Sequence, residues 1–373
     1  MKQLHLLIIL AVAASFISGI GLTMFMSSSY TSNDPNHVVV ANQIDNNTFI
    51  SQDNGTVFAA VNPNTNRIYL ANEVSNTVSV VDGNDNAKIA SIQASGLPLK
   101  LAVNPDTNRI YVTEHHIVNN IEQNGTVTVI DGSNNAKIAS IQVGAYSQIS
   151  VNPDTNRIYV TEHHIVNNIE QNGTVTVIDG SNNAKIASIQ VGVNPSGIAV
   201  NPDTNRIYVI HHYNKINDKW QNGTVTVIDG SNNAKIASIQ VGVNPSGIAV
   251  NPDTNRIYVT NYIDGTVSVI DGNSNTVIGK PIKLDFGVEG IAVNPLANKI
   301  YVANGITATV YVIDGGDTGS KVDEIRKLFA WNVAVNPVTN KIYVPSYFFN
   351  NLSVVDGKHD NIMTVIPIGM YPD

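Results

Sequence analysis

The chain of 373 residues carries 21 basic and 29 acidic side chains, and a formal net charge of −8 is too little positive charge for a nucleic-acid coat. Charged residues make up 13% of the sequence, against roughly 25% in ordinary soluble domains, so much of the exposed surface falls to Asn, Ser and Thr. Cysteine is absent, which excludes disulfides, thiolate zinc sites, iron–sulfur ligation and a cysteine nucleophile.

Residues 4–26 form an apolar run, LHLLIILAVAASFISGIGLTMFM, preceded by Lys2 and with His5 as its one ionisable side chain. As a helix these residues reach roughly 34 Å, enough for a bilayer core of about 30 Å. The small-residue pattern at Ala11 and Ala13 falls mid-run rather than at its end. Residues 1–26 therefore read as an uncleaved membrane anchor, with a cleaved signal peptide as the alternative; either way the rest of the chain is exported. Residues 27–36 read as a linker. Residues 37–51, HVVVANQIDNNTFIS, resemble the third and fourth strands of the units that follow and are expected to pair at the seam of a ring, or to be a fragment of an eighth blade.

The box VNPxxN followed by R/K-I-Y recurs seven times from there on, with its first Asn at Asn62, Asn104, Asn152, Asn201, Asn251, Asn294 and Asn336. Residues 103–144 recur unchanged as 151–192, and residues 171–209 as 221–259, so identity among the middle units reflects copying. Each unit reads as four short strands. An IAVNP strand meets RIYVTN through the type I turn NPDT; an Asp-Gly hairpin such as Asp264-Gly265 leads to TVSVID; and a DG-N-x-N turn leads to KIASIQVG. Four antiparallel strands every 40 to 50 residues or so predict an all-β, seven-bladed β-propeller over residues 37–373, preceded by the N-terminal hydrophobic helix. The Trp-Asp signature is missing, and Trp220 and Trp331 are too few for a tryptophan-docking propeller.

Tyr258, Val259, Thr260 and Asn261 spell the tetrapeptide of the YVTN family of β-propeller repeat proteins, which the chain resembles over about residues 37–373. The other copies read YLAN, YVTE twice, YVIH, YVAN and YVPS. This resemblance implies a secreted or surface-exposed propeller of the kind found in archaeal surface-layer-like proteins and bacterial envelope proteins. The expected role is that of a non-enzymatic interaction or structural module whose partners are other surface proteins or extracellular polymers, with the membrane engaged through the N-terminal segment. No nucleic acid and no cofactor are expected. A small-molecule or metal-binding propeller, or a propeller lyase or hydrolase, is the alternative.

Loop sorting places the first–second and third–fourth turns at one end of the disc and the second–third and blade-to-blade links at the other. Every insertion lies at the second end, at 113–125, 161–173 and 211–223, and variable loops on one rim of a rigid scaffold are where binding concentrates. These loops carry His115, His116, His163, His164, His211 and His212, read as matching pairs in three adjacent blades, with Glu114 and Glu162 beside two of them. Imidazoles near carboxylates suit zinc, copper or nickel; duplication of one solvated or structural pair explains them equally. The channel mouth is the other candidate site. Phe58, Lys100, Gln148, Gly197, Gly247, Gly290 and Asn332 hold equivalent positions there, with Glu289 and Trp331 one place earlier in their blades. No serine–base pair or paired carboxylates recur, so acid–base or nucleophilic catalysis has no visible home. The oxygen-rich turns at 82–86 and 131–135 lack the closing glutamate of a calcium loop and read as turn chemistry. Asn46, Asn54, Asn124, Asn172, Asn222 and Asn351 open N-x-S/T sequons that could accept glycans in an exported protein; the three at NGT also read as hairpin turns.

Overall fold

The NPxxN turn organises the fold. The computed structural model describes residues 56–118, 121–166, 169–212, 219–316, 322–346 and 349–368; the predicted N-terminal helix, the linker and the seam pairing of residues 37–51 lie outside the described residues. In all seven copies the first Asn is fully buried. In every copy but Asn251 its side-chain oxygen accepts backbone N–H groups two or three residues ahead, as Asn62 does from Asn64 and Thr65, and Asn336 from Val338 and Thr339. The second Asn takes φ of 48–52° in every copy, the left-handed region that Asn tolerates better than other L-residues.

Two sets of inter-blade hydrogen bonds follow from this turn. The first Asn donates its side-chain N–H to the second Asn of the next blade: Asn62 to Asn108, Asn104 to Asn156, Asn152 to Asn205, Asn201 to Asn255, Asn251 to Asn298, Asn294 to Asn340 and Asn336 back to Asn66, all at 2.7–2.9 Å. The basic residue of the R/K-I-Y segment donates to the glycine carbonyl of the next blade's Asp-Gly turn. Arg67 reaches Gly132, Arg206 reaches Gly272 at 2.7 Å, and Lys341 closes the circle on Gly83 at 2.6 Å.

Seven four-stranded antiparallel sheets result, over residues 56–93, 97–142, 149–193, 195–243, 245–283, 291–326 and 334–367, numbered here blades 1 to 7. Successive side chains of a strand point to opposite faces, so Ile68 packs on the blade 7 side and Tyr69 on the blade 2 side. Each of the seven blade interfaces, including that between blades 7 and 1, holds one apolar cluster with one box tyrosine in it. Blade 5 departs from the pattern in its outer strand, which splits into Thr276–Val277 and Ile282–Lys283. Gly279 at φ +68° and Pro281, which has no N–H to donate, interrupt the ladder between them.

The expected seven blades and the sorting of loops into two ends are both found. Thr56, Asn72, Thr77 and Gln93 stand in register at one end of blade 1, opposite the NPxxN and Asp-Gly turns. Blades 1 and 7 are each complete from their own consecutive strands, and side chains close the ring at their junction. An Asn336→Ala variant should therefore lose as much stability as Asn201→Ala, about 1–3 kcal/mol each, because either change leaves a partly buried amide oxygen unpaired. Urea unfolding followed by near-ultraviolet circular dichroism checks this; a silent Asn336→Ala beside a costly Asn201→Ala would show that the seam is held by something else.

Candidate functional site

The fourth residue of each YVTN-type box ends the second strand at the variable rim. These residues are Asn72, Glu114, Glu162, His211, Asn261, Asn304 and Ser346. All but Glu162 are buried, and in all but Ser346, whose hydroxyl has no hydrogen-bond partner among the described residues, polar side-chain atoms tie the strand end to its neighbours. Asn261 donates to Thr266 and Ser268 on the third strand and accepts from Gly242 N of the preceding blade. Glu114 accepts from Thr126 and from Ser95 N in the preceding link. Asn304 donates to Phe286 O and accepts from Ile306 and Thr307 N–H. Sequence reading used this column as a family signature and missed its physical role; the signal was present, since every residue in it can form side-chain hydrogen bonds.

His211 belongs to this column, which corrects the alignment of the three histidine pairs. Pro195 pairs with His211 in blade 4 where Pro98 pairs with Glu114 in blade 2, so His211 matches Glu114 and Glu162, not His115 and His163. His211 is fully buried, with Nδ1 3.0 Å from Val193 O and Nε2 3.0 Å from Thr226 Oγ1. His116 and His164 lie beyond a bulge, each with Nε2 3.0 Å from the hydroxyl of Thr126 or Thr174. His163 Nε2 is 2.8 Å from Pro195 O. The His115 ring lies tilted against Tyr146 at 4.7 Å, and the Tyr146 ring is 6.3 Å from His163; His212 is half-buried just past the strand. Ring nitrogens of four of these histidines are thus engaged by protein groups, and among the described residues no three His, Asp or Glu side chains are grouped to hold a metal ion.

At the channel mouth the expected ring is only partly assembled. Phe58, Lys100, Gly197 and Gly247 share one register position on the innermost strands. Gln148 holds the same place, its N–H donating to Thr161 Oγ1 as Lys100 N–H donates to Thr113, and Asn332 accepts from Ala59 N of blade 1. Gly247 is required by close approach, because a Cβ there would stand 2.2 Å from Glu289 O. Lys100 Nζ lies 3.1 Å over the Phe58 ring. Glu289 reaches in from the residue before Gly290, near enough to Lys100 and Tyr262 for its charge to act on both. Burial pushes the Lys100 ammonium down and the Glu289 carboxyl up, each opposed by the other's charge. Trp331 is not part of this lining: it is buried with its ring against Gly305 of blade 6.

The NGT sequons are not hairpin turns. Asn124, Asn172 and Asn222 lie within third strands, at or beside bulges in two of the blades, and all three are exposed. Gly125 is there because a Cβ would stand 2.8 Å from both Glu114 O and Gly144 O. Asn351 is half-buried at the start of a third strand, and Asn46 and Asn54 lie outside the described residues. In the Asp-Gly turns Asp131 accepts from Ser133 N and Asn134 from Ala136 N, so these oxygens serve the turn itself.

Burial lowers the pKa of His211 to about 4, against the raising effect of Val193 O, while His212, Lys235 and His163 add repulsion. The folded state therefore holds His211 neutral, and its contribution is complete above the unfolded value of about 6.5 and lost as pH falls toward 4. Between pH 7 and pH 5 the wild type should lose about 2 kcal/mol of stability from this group. His211→Asn, which installs the residue found in blade 5, should remove that share of the loss, as measured by urea unfolding at both pH values; an unchanged slope would place the titration elsewhere.

The family model described as Lactonase, 7-bladed beta-propeller matches residues 174–295, from the third strand of blade 3 to the first strand of blade 6. Among solved structures the chain is similar to Kuenenia stuttgartiensis hydrazine synthase, at 19% identity and a TM-score of 0.69, over 84% of this chain and 98% of that one. It is similar also to a functionally unknown protein from Desulfotomaculum acetoxidans DSM 771, at 16% identity and a TM-score of 0.65, over 81% of this chain and 95% of that one. No curated protein matches the chain. At these identities the likeness is one of fold, and with the geometry above it makes the chain a seven-bladed β-propeller with four-stranded antiparallel blades.

Proposed function

We propose that this protein is a YVTN-type surface propeller, exported and held outside the membrane by residues 1–26, acting as a non-enzymatic interaction or structural module. Its contact surface is the variable rim, and its partners are other surface proteins or extracellular polymers. The observation that supports this reading most is the pair of long hairpins on adjacent blades. The second and third strands run Arg109–Val118 and Ile121–Asp131 in blade 2, and Arg157–Val166 and Ile169–Asp179 in blade 3; the corresponding strands of blades 1, 5, 6 and 7 have 6 residues each. The extra residues of each second strand carry a hairpin roughly 13 Å past its neighbours at about 3.3 Å per residue. Exposed side chains on them include Ile117, His164, Gln123 and Asn172. The opposite end is occupied by the two sets of inter-blade bonds, whose polar groups are committed to holding the ring.

A catalytic reading draws on fold likeness, and a fold of this kind hosts many unrelated functions. The display and the contact surface are tested together. Protease treatment of intact cells should remove the propeller while sparing cytoplasmic proteins. Replacing residues 115–124 and 163–172 by the Tyr-Ile-Asp link of blade 5 should leave far-ultraviolet dichroism unchanged and abolish retention of the purified protein on cell-surface extracts. Protection from protease in intact cells would refute the display, and undiminished retention would refute the hairpins as the contact surface.

A further inference from the structure

The channel mouth carries two opposite charges that do not neutralise one another directly. Lys100 stands on the innermost strand of blade 2 and Glu289 just before the innermost strand of blade 6, so three blade interfaces separate them by the shorter way round the ring. Both are half-buried. Among the described residues neither the Lys100 ammonium nor the Glu289 carboxylate has a hydrogen-bond or ion-pair partner; the two act on each other only through space, the ammonium meets the face of Phe58 at 3.1 Å, and the carboxylate acts at a distance on Tyr262 as well. Two half-buried charges that meet only through space, with no hydrogen bonds of their own, are costly to hold, and a molecule that contacts both at once relieves that cost.

Neighbouring groups suit such a molecule. Phe58 and Tyr262 supply aromatic surface, and the Tyr262 ring is held edge-on by Phe286 at 5.1 Å. Gln148 holds the position of Lys100 on blade 3, and the Asn332 amide of blade 7 reaches Ala59 N, next to Phe58. Blades 4 and 5 contribute Gly197 and Gly247 at that level and so project no side chain into the mouth. Apolar walls with a few convergent polar groups are the usual composition of a small-molecule site.

We propose that the rim-side mouth of the channel binds a small zwitterion of the amino-acid or betaine class, its carboxylate on Lys100 and its ammonium between Glu289 and the ring of Tyr262. This site is separate from the long hairpins and stands or falls independently of the surface role. Desolvation of the Lys100 and Glu289 charges is consistent with it, since a bound zwitterion would restore the ordinary ionisation of both.

Isothermal titration of the full chain with glycine, 4-aminobutanoate and glycine betaine, and with acetate and choline as singly charged halves, tests the proposal. At least one zwitterion should bind, and about 10-fold or more tighter than either half, as expected when two charge-assisted contacts act together. Lys100→Met and Glu289→Gln should each weaken it by about 10-fold or more. Absence of heat with all three zwitterions, equal affinity for acetate or choline, or unaltered binding in both variants would overturn the site. The comparison of zwitterions with their halves uses the wild type alone, so it decides the matter even if a variant fails to fold.

Discussion

The architecture depends on one amide. The first Asn of each NPxxN turn donates across to the second Asn of the following blade, seven times around the ring, and in every copy but Asn251 its oxygen also caps its own turn. A single buried side chain thereby couples local turn geometry to the angle between blades. The left-handed second Asn is needed for the turn, and its amide oxygen is the acceptor that the preceding blade requires. The Arg or Lys to glycine-carbonyl bonds repeat the same coupling one step further out, where guanidinium and ammonium groups serve alike. Because Asn336 and Lys341 find Asn66 and Gly83 as their counterparts do elsewhere, the first and last blades meet by the same chemistry as any other pair.

The opposite rim is built by a different rule. Here the fourth box residue holds the chain where it leaves one blade for the next, and Asn, Glu and His perform this task through different atoms. A buried polar position that accepts several side chains allows links of different length around it, because each link needs one or two backbone groups satisfied and nothing more. That tolerance explains how the long hairpins of blades 2 and 3 were accommodated without disturbing the strands beneath them. It also explains why the histidines are poor evidence for a metal: His211 is a structural member of this column, and His116 and His164 rest on threonine hydroxyls of their own hairpins.

The repeats differ most at the inner edge and in the rim links. Copying made blades 2 to 5 nearly alike, yet the innermost position reads Phe58, Lys100, Gln148, Gly197 and Gly247 across blades 1 to 5. Lys100 and Glu289 lie on repeats far apart in the chain that the ring turns toward a common axis. The sevenfold framework supplies rigidity, and divergence at its inner edge supplies an asymmetric mouth.

The sequence by itself determined the blade number, the strand order and the turn residues, because period, Asn-Pro and Asp-Gly signals act within a few residues and report local geometry directly. It also singled out Lys100, Glu289 and the histidines as candidates. The box YVIH set beside YVTE already offsets His211 from the other pairs, but the sequence did not resolve that the NGT triplets sit at or beside bulges in strands rather than in turns, or that Trp331 faces Gly305 instead of the channel. Those points depend on cross-strand register and on which neighbour a side chain meets across a blade interface. Such relations join residues tens to hundreds of positions apart, and only the closed ring brings them together.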